Sequence, residues 1–139
     1  VAPSFIVDKS ALSRMRHASV DERLSPLVLA GEVATCSIIE LEALFSARRH
    51  SDLVATRKER RAAFVCVPIT QGDFDRATDV MEALAKRGHH RSAGIPDLLI
   101  AAVAERARLC LLHYDHDFDL ITAHTGQEAE WVVPPGSVP

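Results

Sequence analysis

Two periodicities alternate along this chain, and few architectures accommodate both. Short apolar, β-rich runs stand at residues 4–8 (SFIVD), 33–36 (VATC), 64–69 (FVCVPI), 109–113 (LCLLH) and 130–133 (EWVV). Unbroken apolar runs of this length are the mark of strands buried on both faces. Between them the spacing turns helical. Residues 72–87 show it most clearly, with Phe74, Ala77, Val80, Met81 and Leu84 on one face and Gly88 after them. Leu24, Leu27 and Val28 do the same ahead of Gly31, and Ile38, Leu41, Leu44 and Phe45 mark one face of a helix from Ser37. Residues 52–63 predict a further helix, on which RKERR at 57–61 reads as a solvated face. Ser10 is placed to cap a short helix reaching about His17, and Pro96 to open one running from Asp97 to about Arg108. Strands alternating with helices predict an α/β fold: a parallel β-sheet with right-handed crossovers and helices on both faces.

The 139 residues suit one domain, 1–139, with PPGSVP at 134–139 expected to be a loose tail. No apolar stretch approaches the roughly 18–20 residues that span a bilayer, and no basic segment followed by an apolar one opens the chain. Neither membrane insertion nor export is expected. Cys36, Cys66 and Cys110 lie in apolar runs and are expected to be buried core thiols. Their odd number and the lack of a C-x-x-C argue against a disulfide framework or cysteine-based zinc site and predict a reducing compartment, the cytoplasm. The net charge of -3 excludes bulk attraction as the main source of any nucleic-acid affinity, so phosphates would have to be held locally.

In open parallel sheets, ligands gather beyond the carboxyl ends of the strands. Asp8 ends the first predicted strand, Asp115 follows LCLLH, and Asp97 opens a helix in the apolar stretch IPDLLIAAVA. Glu40 adds a fourth acid in the first turn after the second strand; it also fits a capping box with Ser37. Asp97 alone could be a helix-start acid, and Asp115 or Asp117 a turn residue. Asp8 is harder to explain that way, since an unpaired acid at a buried strand end is unfavourable. Four converging carboxylates repel one another unless a cation neutralises them. Oxygen donors without a histidine or cysteine cluster favour Mg²⁺ or Mn²⁺, and such a site suits hydrolysis of a phosphodiester in RNA or DNA.

The segments FIVDKSAL, TCSIIELEALFSAR, RSAGIPDLLIAAVA and LLHYDHDFDLI together span nearly the whole chain, and in this order and spacing the sequence resembles the PIN-domain ribonucleases. Within them it resembles the VapC-type toxins of bacterial type II toxin-antitoxin pairs. The resemblance implies a metal-dependent endoribonuclease that cuts RNA, with Asp8, Glu40, Asp97 and Asp115 as metal-binding catalytic acids and Asp117 as an additional ligand. It also implies a cognate VapB-type antitoxin, a homodimer, and a heterotetramer or larger assembly with the antitoxin. Two positions depart from the family pattern. Lys9 stands where a small hydroxyl residue is usual, while Ser10 keeps the second hydroxyl, and His113 replaces a common threonine. Lys9 either reaches a phosphate or points to solvent; His113 is read as a structural hydrogen-bonding group or a substrate contact, with a general base as the weaker alternative.

RNA binding favours basic groups on phosphates and flat side chains under bases. Ser10, Lys9, Arg14, His90, Arg91 and His113 are the candidate substrate contacts, whereas Tyr114 and Trp131 read as packing residues. Two other readings are weaker. A phosphatase of the haloacid-dehalogenase type wants a second Asp where Ser10 stands, and a receiver domain wants paired early acids. A PIN-like domain that binds RNA or protein without cutting is the remaining alternative; retention of the acids speaks against it.

Overall fold

A computed structural model describes residues 2–139. The chain runs β1 (Phe5–Val7), α1 (Lys9–Leu12), α2 (Ala18–Leu29), β2 (Val33–Thr35), α3 (Ser37–Phe45), α4 (His50–Ala63), β3 (Val65–Cys66), α5 (Gln71–Ala85), α6 (Ile95–Ala107), β4 (Cys110–His113), α7 (Asp117–Thr125) and β5 (Ala129–Trp131). The strands form one parallel sheet in the order β3-β2-β1-β4-β5. The α/β class and the parallel sheet expected from the alternating periodicities are both observed.

The central strands are mainly apolar because each faces a core on both sides. Ile6 and Leu111 point into one cluster with Ala34, Ile39, Ile100 and Phe118, while Val7, Cys110 and Leu112 point into the other with Val20, Leu24 and Val33. This is the period-two alternation of a strand with two buried faces. Helix α6 is correspondingly apolar all round, with residues 98–104 buried, and its alanines let it lie close to α5 and the sheet.

Charge pairs fix the outer side of α6. Arg76 of α5 meets Glu105 at 2.8 Å, and Arg106 meets Asp73 at 2.7 Å while also donating to the Pro68 carbonyl. Asp73 additionally closes a capping box with Thr70. Burial raises the Asp73 pKa, but the hydrogen bonds from Arg106 and Thr70 outweigh it and hold the carboxyl below its ordinary value. Asp73→Ala is expected to destabilise the fold by about 2 kcal/mol, a lost cap plus a broken pair with a solvent-touched arginine. Urea denaturation measures this directly; an unchanged midpoint would show that neither contact matters.

Several local expectations are corrected. Cys66 is exposed, because it lies on β3, a two-residue strand at the edge of the sheet, whereas Cys36 and Cys110 are buried. Phe74 is 50% exposed, as the buried face of α5 is carried by Val80 and Leu84. On α3, Leu41 and Phe45 are 64% and 90% exposed, and Ile39 enters the core instead. The terminal residues 134–139 are tied down: the Tyr114 hydroxyl donates to the Val138 carbonyl at 2.7 Å, Arg14 donates to the Pro139 carbonyl at 3.2 Å, and Val138 packs on the second core. No helix of the described residues is long and apolar enough to cross a membrane.

Candidate metal centre

The strand order contains one switch point. From β1 the chain steps outward to β2 and β3, then returns to the other side of β1 for β4 and β5. Connections leave β1 and β4 in opposite directions, so a crevice opens beyond their carboxyl ends. Asp8 immediately follows β1, and its N–H donates to the Leu112 carbonyl of β4 at 2.9 Å. Asp115 lies two residues past β4, and Asp97 and Asp117 sit in the first turns of α6 and α7.

Asp8 is 4% exposed. Its Oδ2 accepts the Ser10 N–H at 3.0 Å and caps α1, so the cap residue is Asp8 and not the expected Ser10; Oδ1 is buried with no hydrogen-bond partner. Asp97, Asp115 and Asp117 each bring one carboxylate oxygen within 4.8 Å of the others. The Asp117 N–H donates to Asp115 Oδ1 at 2.9 Å, which holds the turn into α7. Burial first, then the charges of Asp8, Asp115 and Asp117, push the Asp97 carboxyl up to about 8. Gly94, the cap residue of α6, keeps the approach open: a Cβ there would stand 3.3 Å from Asp97 Oδ2.

Glu40 is not brought to this group. Its carboxylate faces the other way, held by Arg60 at 2.8 Å through both Nε and Nη2 and by the Thr35 hydroxyl. Burial raises its pKa, but the bonds from Arg60 and Thr35 outweigh this and leave it lowered, as expected of a partnered carboxylate. The Ser37 side chain makes no cap bond either, because Cys36 occupies the cap position of α3. Arg60, read from the sequence as part of a solvated face, is only 13% exposed and closes this pair.

The acid that α3 does present to the crevice is Glu42. It lines a cleft of about 380 Å³ together with Asp8, Lys9, Ser10, Asp97 and Asp115. Its Oε1 is buried without a hydrogen-bond partner, and burial followed by the charge of Asp8 raises its pKa. Residues two apart on a helix differ by about 200° in direction, so Glu40 and Glu42 cannot share a face. The overlooked signal was Ile39: Glu42 lies one turn after it, on the core side of α3.

The candidate substrate contacts separate into two groups. Lys9 and Ser10 line the cleft, the Ser10 hydroxyl accepting the Tyr114 N–H at 2.9 Å. Arg14 donates to the Ser10 carbonyl and lies over the Tyr114 ring, which commits it to the C-terminal segment. His90 and Arg91 are exposed in the loop ahead of α6. His113 is 1% exposed, packed on Phe118 and Trp131, so it offers no surface to a substrate. Its Nδ1 accepts the Asp115 N–H at 3.3 Å. Burial lowers its pKa against the pull of Asp119, Asp8 and Asp115.

The donor set fits a hard divalent cation. Buried carboxylate oxygens without partners are unfavourable, and Asp8 Oδ1 and Glu42 Oε1 are two such atoms in a cleft whose other carboxylates repel them. All candidate ligands are oxygens, which favours magnesium-like over zinc-like chemistry. The larger cavity, about 850 Å³ between α3 and α4, has a mainly apolar wall, and its one carboxylate, Glu40, is already committed to Arg60.

Comparison with known proteins agrees with this architecture. Residues 5–123 match the family model for the PIN domain. Ribonuclease VapC21 of Mycobacterium tuberculosis is 44% identical over 133 residues, covering 96% of each chain. Ribonuclease VapC51 of the same organism is 39% identical over 142 residues and 99% of each. Among solved structures, DNA-bound VapBC from Salmonella typhimurium aligns with a TM-score of 0.76 at 15% identity, over 94% of this chain and 99% of that one. VapBC2 from Rickettsia felis aligns with a TM-score of 0.72 at 14% identity, over 94% and 98%. At these identities the structural likeness bears on the fold alone. A parallel sheet with acids gathered at its switch point defines the class, and the chain belongs to the PIN-domain family. Its relatives place it among the VapC-type members.

Proposed function

We propose that this protein is a divalent-metal-dependent endoribonuclease and the toxin of a VapBC-type pair. The observation that carries the reading is the convergence of Asp97, Asp115 and Asp117 oxygens within 4.8 Å, beside the partnerless Oδ1 of Asp8. Asp8, Glu42, Asp97, Asp115 and Asp117 would hold Mg²⁺ or Mn²⁺. When bound, such a cation supplies activation of a water and neutralisation of charge on the phosphodiester. The protein's part is to fix the oxygens in place. Ser10 N–H orients Asp8, the Asp117 N–H orients Asp115, and His113 Nδ1 steadies the Asp115 backbone. Burial and the neighbouring carboxylates push Asp97 up to about 8, so it would release its proton when a cation is held there.

The antitoxin partner belongs to the same reading. Solved VapBC structures align with this chain, and the cavity between α3 and α4 exposes Leu41 and Phe45 beside Arg57 and Arg61. An amphipathic segment with acidic residues suits that surface. A homodimer, and a heterotetramer or larger with the antitoxin, complete the proposal, as does a cytoplasmic setting.

The test is cleavage of total bacterial RNA by the purified chain in EDTA, Mg²⁺ and Mn²⁺. Internal cuts are expected only with metal, abolished by EDTA and restored by excess Mn²⁺. Cutting that persists undiminished in EDTA, or no cutting under any of these conditions, would overturn the proposal.

A further inference from the structure

Lys9 opens α1 directly behind Asp8 and lines the acidic cleft. Among the residues on that wall it is the one base, against the acids Asp8, Glu42, Asp97 and Asp115. No ion pair holds its ammonium among the described residues, although Arg23, Arg49, Arg60, Arg76 and Arg106 are all so engaged.

The charge balance of the centre gives this position its meaning. Asp8, Glu42, Asp97, Asp115 and Asp117 together carry five negative charges when ionised. A divalent cation offsets two of them, and an incoming phosphodiester adds another negative charge, so the substrate meets repulsion unless a further positive group stands beside it. Many phosphoryl-transfer sites answer this with a second metal ion. A lysine answers it from the polypeptide, as a compact point charge on a flexible stem.

We infer that Lys9 supplies the second positive charge of this centre, contacting a non-bridging oxygen of the scissile phosphodiester, so that one bound divalent cation per chain suffices. This rests on the nuclease reading. It adds a role for a residue that the acidic constellation does not include, and it limits the metal stoichiometry.

The experiment uses the full chain and its Lys9→Met and Lys9→Arg variants. Calorimetric titration with Mn²⁺ alone, without RNA, is expected to give one ion per wild-type chain. Lys9→Met should bind that ion several-fold more tightly, since a repelling ammonium is gone. Turnover of RNA at saturating Mg²⁺ should nevertheless fall on the order of 100-fold in Lys9→Met, the usual scale for losing one charge-stabilising group, and Lys9→Arg should retain most of it. Two Mn²⁺ per wild-type chain, or a Lys9→Met variant with unchanged Mn²⁺ affinity and unchanged turnover, overturns the inference while leaving the nuclease reading intact. Failure of that reading looks different: wild-type protein that neither binds Mn²⁺ nor cuts RNA, before any Lys9 variant is made.

Discussion

Asp97→Asn is expected to make the metal-free protein more stable at neutral pH while abolishing RNA cleavage. The carboxyl is pushed up to about 8 by burial and by Asp8, Asp115 and Asp117, whereas an unfolded aspartate titrates near 3.9. Between those values the folded state holds a proton that the unfolded state has lost. Stability of the metal-free protein therefore declines as pH rises from about 4 to about 8, the reverse of the usual carboxylate. Asparagine removes the acid and keeps a neutral polar group of the same shape beside Asp115 and Asp117, whose carboxylate oxygens lie within 4.8 Å. Discounted for the solvent that reaches the cleft, the gain at pH 8 is on the order of 1–3 kcal/mol.

Thermal melts in EDTA at pH 5 and pH 8 measure this. The variant should exceed wild type only slightly at the lower pH and by roughly 3–10 °C at the higher. Added Mn²⁺ should raise the wild-type midpoint and leave the variant nearly unmoved, because ligand binding stabilises only the state that binds. Cleavage should fall by more than the roughly 10–100-fold that altering even a supporting group of a metal site causes. A variant that melts lower than wild type in EDTA at pH 8, or that retains full cleavage, would remove Asp97 from the centre.

The two glutamates of α3 should give opposite results. Glu42→Gln is expected to eliminate cleavage with little change in stability, since the charge it removes is buried beside Asp8 without a hydrogen-bond partner on Oε1. Glu40→Gln is expected to preserve cleavage per folded molecule and to destabilise the protein by about 2–4 kcal/mol, because Arg60, 13% exposed, loses its charged partner. The Glu40 contribution also has a pH signature. Its folded pKa is lowered, so the stabilisation is present above the unfolded value near 4.3 and disappears as pH falls through the folded one. Urea melts together with cleavage assays corrected for folded fraction distinguish the two residues. Loss of activity in Glu40→Gln with Glu42→Gln still active would exchange their assignments.

This pair also marks where reading along the chain stops being sufficient. An acid is needed near the start of the helix after β2, and two are available at positions 40 and 42. Helical periodicity separates them onto different faces but does not say which face meets β1. That depends on β2 lying beside β1 and on α3 passing the crevice with Ile39 toward the core. The apolar residues of α3 misled in the same way: Leu41 and Phe45 have core-like spacing yet line an open cavity with α4. Arg60 looked solvated for the same reason, since its partner lies 20 residues away in sequence.

Residues adjacent in sequence to a strand end fared better. Asp8, Asp97, Asp115 and Asp117 all stand at the edge of the crevice, because a strand terminus or helix start fixes its neighbours within a residue or two. The long-range ties of the C-terminal segment to Tyr114 and Arg14 had no local signature.

The sequence by itself determined that the chain forms a parallel α/β sheet, and which acids end its central strands, since both follow from short-range periodicity and from burial on two faces. Only the tertiary structure decided that Glu42 and not Glu40 joins those acids, that Lys9 lines their cleft, and that Arg60 and the C-terminus are anchored. Those outcomes depend on which helix face meets which strand, and that is settled only when separate segments pack together.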